Sequence, residues 1–107
     1  MRLLFLTNFY PPHDLGGWEQ NCAEAVQQLR ARGHETLVLT SRHGVAAGAP
    51  AEEGVERSLY LEADLRHYRP LAFFLHRERR ARYNLARLRH AIETFQPDLV
   101  FIWGVWH

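Results

Sequence analysis

A pair of adjacent glycines before a predicted helix is the clearest candidate for a ligand-binding element in this sequence. Gly16 and Gly17 follow the run Tyr10-Pro11-Pro12 and stand directly before an amphipathic segment. Glycines at such a place let the backbone approach a ligand closely, and the free N–H groups of a first helical turn attract anions such as phosphate or carboxylate. Gly-Gly before a helix is also a common tight turn, so the pair by itself fits both roles.

Other familiar sites for nucleotides and metals are absent from the sequence. The spacing G-x-G-x-x-G does not occur, and Thr40-Ser41-Arg42 ends the second predicted strand, where dinucleotide-binding proteins carry an acidic residue. His13 and His107 lie in loops at the same predicted sheet edge, but two histidines do not make a metal site. The single Cys22 cannot form an internal disulfide, which fits a reducing cytoplasm. We therefore expect neither a metal nor a cofactor.

The elements that position these residues begin as strand, helix and strand. Residues 2–8 form a near-continuous apolar run, which is typical of a parallel strand buried on both faces. The helix after Gly17 places Cys22, Val26 and Leu29 on one side, together with Ala25, and Gly33 is predicted to end it. A second strand is predicted over residues 34–41.

The second half of the chain continues with strand, helix and strand. A third strand is predicted from Val55 to Glu62, a long helix from Pro70 to about Gln96, and a fourth strand from Leu99. The apolar stripe of the long helix consists of Phe74, Ala81, Leu85, Leu88, Ile92 and Phe95. This order predicts an α/β fold, a Rossmann-like three-layer half sheet, mostly parallel, with strand order 3-2-1-4. Its switch point lies between strands one and four.

Length and charge set broad limits on function. The chain has 107 residues, enough for one domain over residues 1–107 with its own core, and a net charge of +1 that identifies no partner. All 13 basic residues are arginines, which excludes a catalytic lysine. The apolar run at the N-terminus is too short for a signal peptide or a membrane span, so we expect a cytoplasmic protein.

Eight arginines between Arg66 and Arg89 form the strongest local charge feature. With the leucines and phenylalanines of residues 71–75 they could form an amphipathic helix at the inner membrane face, each arginine contributing ~1 kcal/mol near anionic lipid. Glu78 and Glu93 favour a solvated helix face instead, and both interpretations stay open. Nucleic acid is not expected as a partner, because no recognised binding motif accompanies the arginines.

Several segments together resemble one protein family. They are residues 4–12 (LFLTNFYPP), 16–19 (GGWE), 29–35 (LRARGHE), 36–40 (TLVLT) and 97–100 (PDLV). This combination is similar to the N-terminal domain of retaining GT-B glycosyltransferases of the group 1 or family 4 class. The resemblance implies two Rossmann-like domains facing each other across a cleft. The N-terminal one receives a hydroxyl acceptor, and the C-terminal one holds most of a nucleotide diphosphate sugar, the donor substrate.

The resemblance also implies site residues. Gly16 and Gly17 match the family's glycine-rich loop near the donor diphosphate and the acceptor, and Glu19 matches the acidic residue that commonly follows. A first-turn glutamate also stabilises a helix by ~0.3–1 kcal/mol, so either role accounts for Glu19. Trp18 stands where the family usually has a small or aliphatic residue, and it either stacks on a sugar or lipid or shields the helix start. The remaining candidate substrate-binding residues are Asn8, Tyr10 and His13, and His107 is the catalytic candidate.

The chain reaches His107 shortly after the fourth predicted strand. We expect a C-terminal nucleotide-sugar domain to be missing, this fragment to be inactive alone, and the open fourth strand to make it self-associate. The alternative is a non-catalytic flavodoxin-like binding or regulatory module. A receiver of that kind needs an acidic cluster after strand one, where this sequence has only Asp14.

Overall fold

The computed structural model describes residues 1–12, 17–42, 45, 52–61 and 76–103. The strands and helices of these ranges are, in chain order, β1 (Arg2–Thr7), α1 (Gly17–Ala31), β2 (Glu35–Ser41), β3 (Val55–Leu59), α2 (Arg77–Phe95) and β4 (Leu99–Ile102). Neither α1 nor α2 has the length and apolar character that crossing a membrane requires.

The four strands form one parallel sheet in the order β3-β2-β1-β4, as the sequence predicts. β1 pairs with β2 on one side and with β4 on the other, and β2 pairs with β3. α1 and α2 pack on opposite faces, because right-handed crossovers that run in opposite directions along a sheet place their helices on opposite sides. The fold is therefore a Rossmann-like α/β half sheet.

The face of the sheet under α1 is tightly filled. Phe5, Val38 and Val26 are almost completely buried there, with Cys22 beside them. This agrees with the side of α1 that the sequence predicts to face the sheet, and Ala23 joins it. Each such aliphatic or aromatic side chain contributes about 1.5–3 kcal/mol when fully buried. Tyr10, which follows β1, is buried in the same cluster, so this face supports the described residues after β1.

The face under α2 is less completely covered. Ala91 is buried and Leu88 packs beside it, but Leu85 and Ile92 of the predicted stripe remain 48% and 41% exposed. An apolar groove of about 460 Å³ lies between α2 and the sheet, lined by Leu6, Leu39, Leu59, Leu61, Ala81, Asn84, Leu85, Leu88 and Ile102. The apolar stripe that the sequence indicates for this helix therefore packs on the sheet only in part, and its Phe74 lies outside the described residues.

Both helix C-termini end on left-handed residues. Gly33 (φ +91°) is the C′ residue of a Schellman motif, in which the N–H groups of Gly33 and His34 donate to the carbonyls of Arg30 and Leu29. Gln96 ends α2 with φ 52° and donates its N–H to the carbonyl of Ile92. Pro97 follows and cannot continue a helix, which confirms the predicted break.

Two predicted boundaries are wrong. β3 ends at Leu59 instead of Glu62, because the backbone of the next residue, Tyr60, is hydrogen-bonded to a side chain and not to a neighbouring strand. Asn84 Nδ2 donates to the Tyr60 carbonyl (2.7 Å), and the Tyr60 N–H donates to Asn84 Oδ1 (2.9 Å). α2 begins at Arg77, with His76 as its N-cap residue in a non-helical conformation, instead of at Pro70. Residues 62–75 lie outside the described ranges.

β4 has a neighbour on one side only within the described sheet. All four of its residues are at least partly exposed, and Ile102 is 72% exposed. Phe101 stacks on Phe5, with ring centroids 5.0 Å apart. The strand has neither the charges nor the proline that protect natural edges. Self-association through β4 stays a prediction.

We expect Gly54→Ala to destabilise the fold more than Gly33→Ala does. Both glycines have positive φ (+74° and +91°), which costs an alanine about 1–2 kcal/mol. A Cβ at Gly33 meets no atom within 4 Å, whereas one at Gly54 meets the guanidinium of Arg30 and lies 3.3 Å from the Thr36 carbonyl oxygen. Arg30 is hydrogen-bonded to Thr36 Oγ1, so displacing it adds a loss of about 1 kcal/mol.

Urea unfolding of the two alanine variants measures this difference. Because Gly33→Ala carries the backbone cost alone, it is the matched control. Equal losses in the free energy of unfolding would show that the Arg30 side chain moves aside without cost.

Candidate functional site

The candidate site lies at the carboxyl edge of the sheet, where β1 runs into the segment before α1. Thr7 Oγ1 donates to the Phe9 carbonyl at 3.0 Å, and Ser41 Oγ, at the end of β2, donates to the Asn8 carbonyl. These bonds satisfy backbone groups that leave the sheet ladder at this point. The path of the chain after β1 is thus held by hydroxyl groups of two neighbouring strands.

Arg57 of β3 braces the same segment from the side. Its Nη1 donates to the Tyr10 carbonyl (3.0 Å) and its Nη2 to the Pro11 carbonyl (2.7 Å), while Nε pairs with Glu52 Oε1 (2.7 Å). The Arg57 side chain is only 8% exposed. A buried guanidinium with a carboxylate partner and two carbonyl acceptors is well satisfied, so it fixes the backbone of residues 10 and 11.

Tyr10 and Cys22 both lie in the core under α1. Burial raises the pKa of the Tyr10 hydroxyl, and it raises the pKa of the Cys22 thiol to about 11. A thiol with such a pKa stays protonated at neutral pH, so Cys22 behaves as a small apolar core residue. The described structure gives the Tyr10 ring a packing role, and its predicted contact with substrate stays a prediction.

Trp18 and Trp103 join the start of α1 to the end of β4. Trp103 Nε1 donates to the Trp18 carbonyl at 3.0 Å, and Trp18 Nε1 donates to the Trp103 carbonyl. The ring centroids lie 5.7 Å apart at an angle of 44°. Trp103 is held in place by its own N–H, which donates to the Leu6 carbonyl of β1. This indole pair lies at the switch point between β1 and β4.

The first turn of α1 presents backbone and aromatic groups at this switch point. The N–H groups of a first helical turn have no partner within the helix, and within residues 1–12 and 17–103 as far as the structure describes them no hydrogen bond from the N–H groups of Gly17, Trp18 or Glu19 is seen. A Cβ placed on Gly17 meets no atom within 4 Å, which leaves open space beside this backbone. Trp18 is 61% exposed although its indole N–H and its carbonyl are both hydrogen-bonded. Its indole therefore offers a ring face to solvent or ligand.

A third group of side chains lies at the same edge, towards α2. Arg42, which follows β2, donates from Nη1 to the Tyr60 hydroxyl and from Nη2 to the Tyr83 hydroxyl, each at 2.7 Å. Its guanidinium carbon lies 4.3 Å from the Tyr60 ring centroid and 5.5 Å from that of Tyr83. We call Arg42, Tyr60 and Tyr83 the Arg42 cluster.

The structure brings several of the predicted site residues to one edge. Asn8, Gly17, Trp18 and Glu19 lie at or next to the switch point, with Glu19 half-buried. Gly16, His13 and His107 lie outside the described ranges, as do residues 66–75 of the arginine-rich segment. The described arginines of that segment differ in environment: Arg80 is buried, Arg87 pairs with Glu56, and those at 77, 79, 82 and 89 are exposed. Their predicted roles stay predictions.

Sequence reasoning missed Arg57, Trp103 and the Arg42 cluster. Arg57 sits at an alternating position of a short strand, and nothing in its neighbours indicates a contact with residues 10 and 11. In the sequence, Arg42 stands out only as the residue at the end of strand two, where dinucleotide-binding proteins carry an acid. The one usable signal was the end of each predicted strand, since residues that follow parallel strands meet at one edge.

We expect the two indole hydrogen bonds to depend on each other. Trp18→Phe and Trp103→Phe keep a ring but remove one Nε1 donor each, and each change is expected to cost about 1 kcal/mol of unfolding free energy. Because both bonds need the same relative placement of α1 and β4, the double variant is expected to differ from the sum by about 0.5 kcal/mol or more. Urea unfolding of the four proteins in the cycle measures this coupling, and strictly additive losses would contradict it.

Comparison with known proteins identifies the family of the chain. Residues 15–107 match the family model described as Glycosyltransferase Family 4. No curated protein and no solved structure matches the chain. The matched range extends from the glycine pair through α1, all the later strands and α2. The chain therefore belongs to glycosyltransferase family 4.

Proposed function

We propose that this chain is the acceptor-side, N-terminal domain of a retaining GT-B glycosyltransferase. In the complete enzyme, a sugar moves from a nucleotide diphosphate sugar to a hydroxyl group of an acceptor with retention of configuration. A second Rossmann-like domain supplies most contacts to the donor. The observation that carries this proposal is the family match over residues 15–107, whose first matched residues lead into the glycine pair and the switch point.

The start of α1 supports the proposal electrostatically. As the sugar leaves, negative charge grows on the diphosphate oxygens of the leaving group. Free N–H groups at a helix N-terminus stabilise negative charge, and they do so without reorganisation when the helix is already in place. Arg57 of β3 is hydrogen-bonded to the backbone of Tyr10, before α1. Trp103, which follows β4, is hydrogen-bonded to Trp18 in the first turn of α1. The first-turn amides of Gly17 and Trp18 are therefore preorganised donors.

The indole of Trp18 supports a role in binding a sugar or a lipid. An aromatic ring with its N–H already bonded interacts through its apolar face. Trp18 is fixed by Trp103 and still 61% exposed, so it can receive a flat apolar surface without losing its own hydrogen bond. This makes Trp18 the candidate contact for the acceptor, next to the glycine pair.

Titration calorimetry with nucleotide sugars tests the assignment to the acceptor side. The 107-residue chain should bind uridine, guanosine and adenosine diphosphate sugars more weakly than a Kd of ~10 μM, about −7 kcal/mol, because the main donor contacts belong to the other domain. Tighter binding by this chain alone would contradict that assignment and indicate a complete donor site.

We expect Gly17→Val to lower sugar transfer by ~10²-fold or more in the enzyme that carries the nucleotide-sugar domain, because the new side chain fills the space beside the first-turn amides. Stability should change little, since a Cβ at Gly17 meets no atom within 4 Å. Release of nucleoside diphosphate measures the activity. Gln27→Val, at an exposed position of the same helix, is the matched control and should keep normal activity. Near-normal turnover of Gly17→Val would show that the glycine pair is only a turn.

A further inference from the structure

We propose that the Arg42 cluster binds a phosphate group. The cluster lies at the carboxyl edge of the sheet, towards α2, and uses none of the residues at the glycine pair. Each member comes from a different element: Arg42 follows β2, Tyr60 follows β3, and Tyr83 belongs to α2. Asn84, next to Tyr83, holds the backbone of Tyr60 through two hydrogen bonds, so the three side chains are brought together by the fold itself.

The hydrogen bonds of the cluster leave several donors unused. A guanidinium has five N–H groups, and Arg42 gives one to each phenol and a long one (3.4 Å) to the Ser58 carbonyl. Each phenol oxygen accepts a hydrogen bond from Arg42, so the hydroxyl groups of Tyr60 and Tyr83 can each still donate a hydrogen bond of their own. Two N–H and two O–H donors therefore remain on Arg42 and the two tyrosines, each of which is joined to Arg42 by a hydrogen bond of 2.7 Å. A ligand with several acceptor oxygens satisfies such a set.

The charge of Arg42 also points to an anion. Among the described residues, Arg2, Arg57 and Arg87 each pair with a glutamate, at Glu35, Glu52 and Glu56. The hydrogen-bond partners of Arg42 are two phenols and a backbone carbonyl, all of them neutral. Its guanidinium is oriented by the Tyr60 and Tyr83 rings and is exposed, so an anion from solution can reach it.

The arrangement suits phosphate better than carboxylate. A carboxylate is planar and is recognised best by two parallel N–H groups of one guanidinium. In the cluster, each terminal nitrogen of Arg42 has already given one N–H to a phenol, and the remaining donors come from three side chains. The oxygens of a tetrahedral phosphate point in different directions, so they can accept hydrogen bonds from donors that lie on three separate side chains.

Within the proposed transferase, on which this step rests, the phosphate belongs to the acceptor. The donor diphosphate is expected at the glycine pair, and the Arg42 cluster is built from other elements of the sheet edge. The acceptor is then a phosphate ester that also carries the reacting hydroxyl group. Such an ester is either a soluble sugar or polyol phosphate or the headgroup of a phospholipid.

Titration of the whole chain with inorganic phosphate at constant ionic strength tests the site without any sugar transfer. Shifts of the tyrosine ring signals in nuclear magnetic resonance spectra report binding. Arg42→Gln should weaken phosphate binding ~10-fold or more, as expected for loss of a charge-assisted bond. Tyr60→Phe combined with Tyr83→Phe keeps both rings but removes both hydroxyls, and should weaken it by a similar factor.

Arg89→Gln is the matched control, because it removes one positive charge from an exposed position of α2. Its phosphate affinity should equal that of the unchanged chain. The proposal is overturned if Arg42→Gln binds phosphate normally, if Arg89→Gln weakens binding as much, or if acetate binds as tightly as phosphate. Should Arg42→Gln not fold, the phenylalanine pair decides the question, since it leaves the ring packing in place.

Two further ligands distinguish the source of the phosphate. Glycerol phosphate represents a soluble ester, and vesicles with phosphatidic acid represent a lipid headgroup. Arg42-dependent binding of glycerol phosphate assigns a soluble acceptor, and Arg42-dependent binding to vesicles alone assigns a lipid. Binding to neither overturns the acceptor role. Because no measurement here uses a nucleotide sugar, a failure of the phosphate site and a failure of the transferase assignment are separate results.

Discussion

The double burial of β1 is the constraint on which the rest of this fold depends. From Leu3 to Thr7 every residue of the strand is buried, and the strand pairs in parallel with β2 and β4. A parallel strand with apolar side chains on both faces needs a helix above and a helix below. α1 and α2 meet that need, and the crossovers that contain them, from β1 to β2 and from β3 to β4, run in opposite directions along the sheet. The switch point beside β1 is a direct consequence.

The carboxyl edge is where backbone groups leave the parallel ladder and must find other partners. Ser41 donates a hydrogen bond to the Asn8 carbonyl, and Arg57 donates to two carbonyls of the segment after β1. The side chain of Asn84 forms hydrogen bonds with both backbone groups of Tyr60. Trp18 and Trp103 exchange bonds across the switch point. The same contacts that satisfy the backbone therefore fix the shape of the edge, where ligands of open α/β sheets bind.

The two faces of the sheet differ in how completely they are covered. Under α1 the side chains of Phe5, Val26 and Val38 are at most 1% exposed. Under α2 a groove of about 460 Å³ remains, and Ile102 of β4 is largely exposed beside it. The dense face packs beneath the candidate site, since Tyr10 and α1 both belong to it. The open face and the edge of β4 form continuous apolar surface, which is typical of surfaces that meet another protein element.

Local patterns in the sequence predict the class of fold and the order of its strands. The apolar run of β1, the amphipathic pattern of α1 and the stops at Gly33 and Pro97 are local signals, since each follows from side-chain periodicity or from a backbone preference. With the rule for right-handed crossovers they were sufficient for the strand order 3-2-1-4. The position of the glycine pair at the carboxyl edge is also predictable from local signals, because the pair stands between the first predicted strand and the helix that follows it.

Contacts between residues that lie far apart in the chain could not be predicted from such patterns. Asn84 ends β3 at Leu59, although the sequence alone predicts the strand to continue. Trp103 lies 85 positions from Trp18, and Tyr83 lies 41 positions from Arg42. Such contacts depend on where β4 pairs within the sheet and on how α2 packs on it, and no local sequence pattern predicts either. The indole pair, the Arg57 brace and the Arg42 cluster therefore appear only when the strand ends have been brought to one edge.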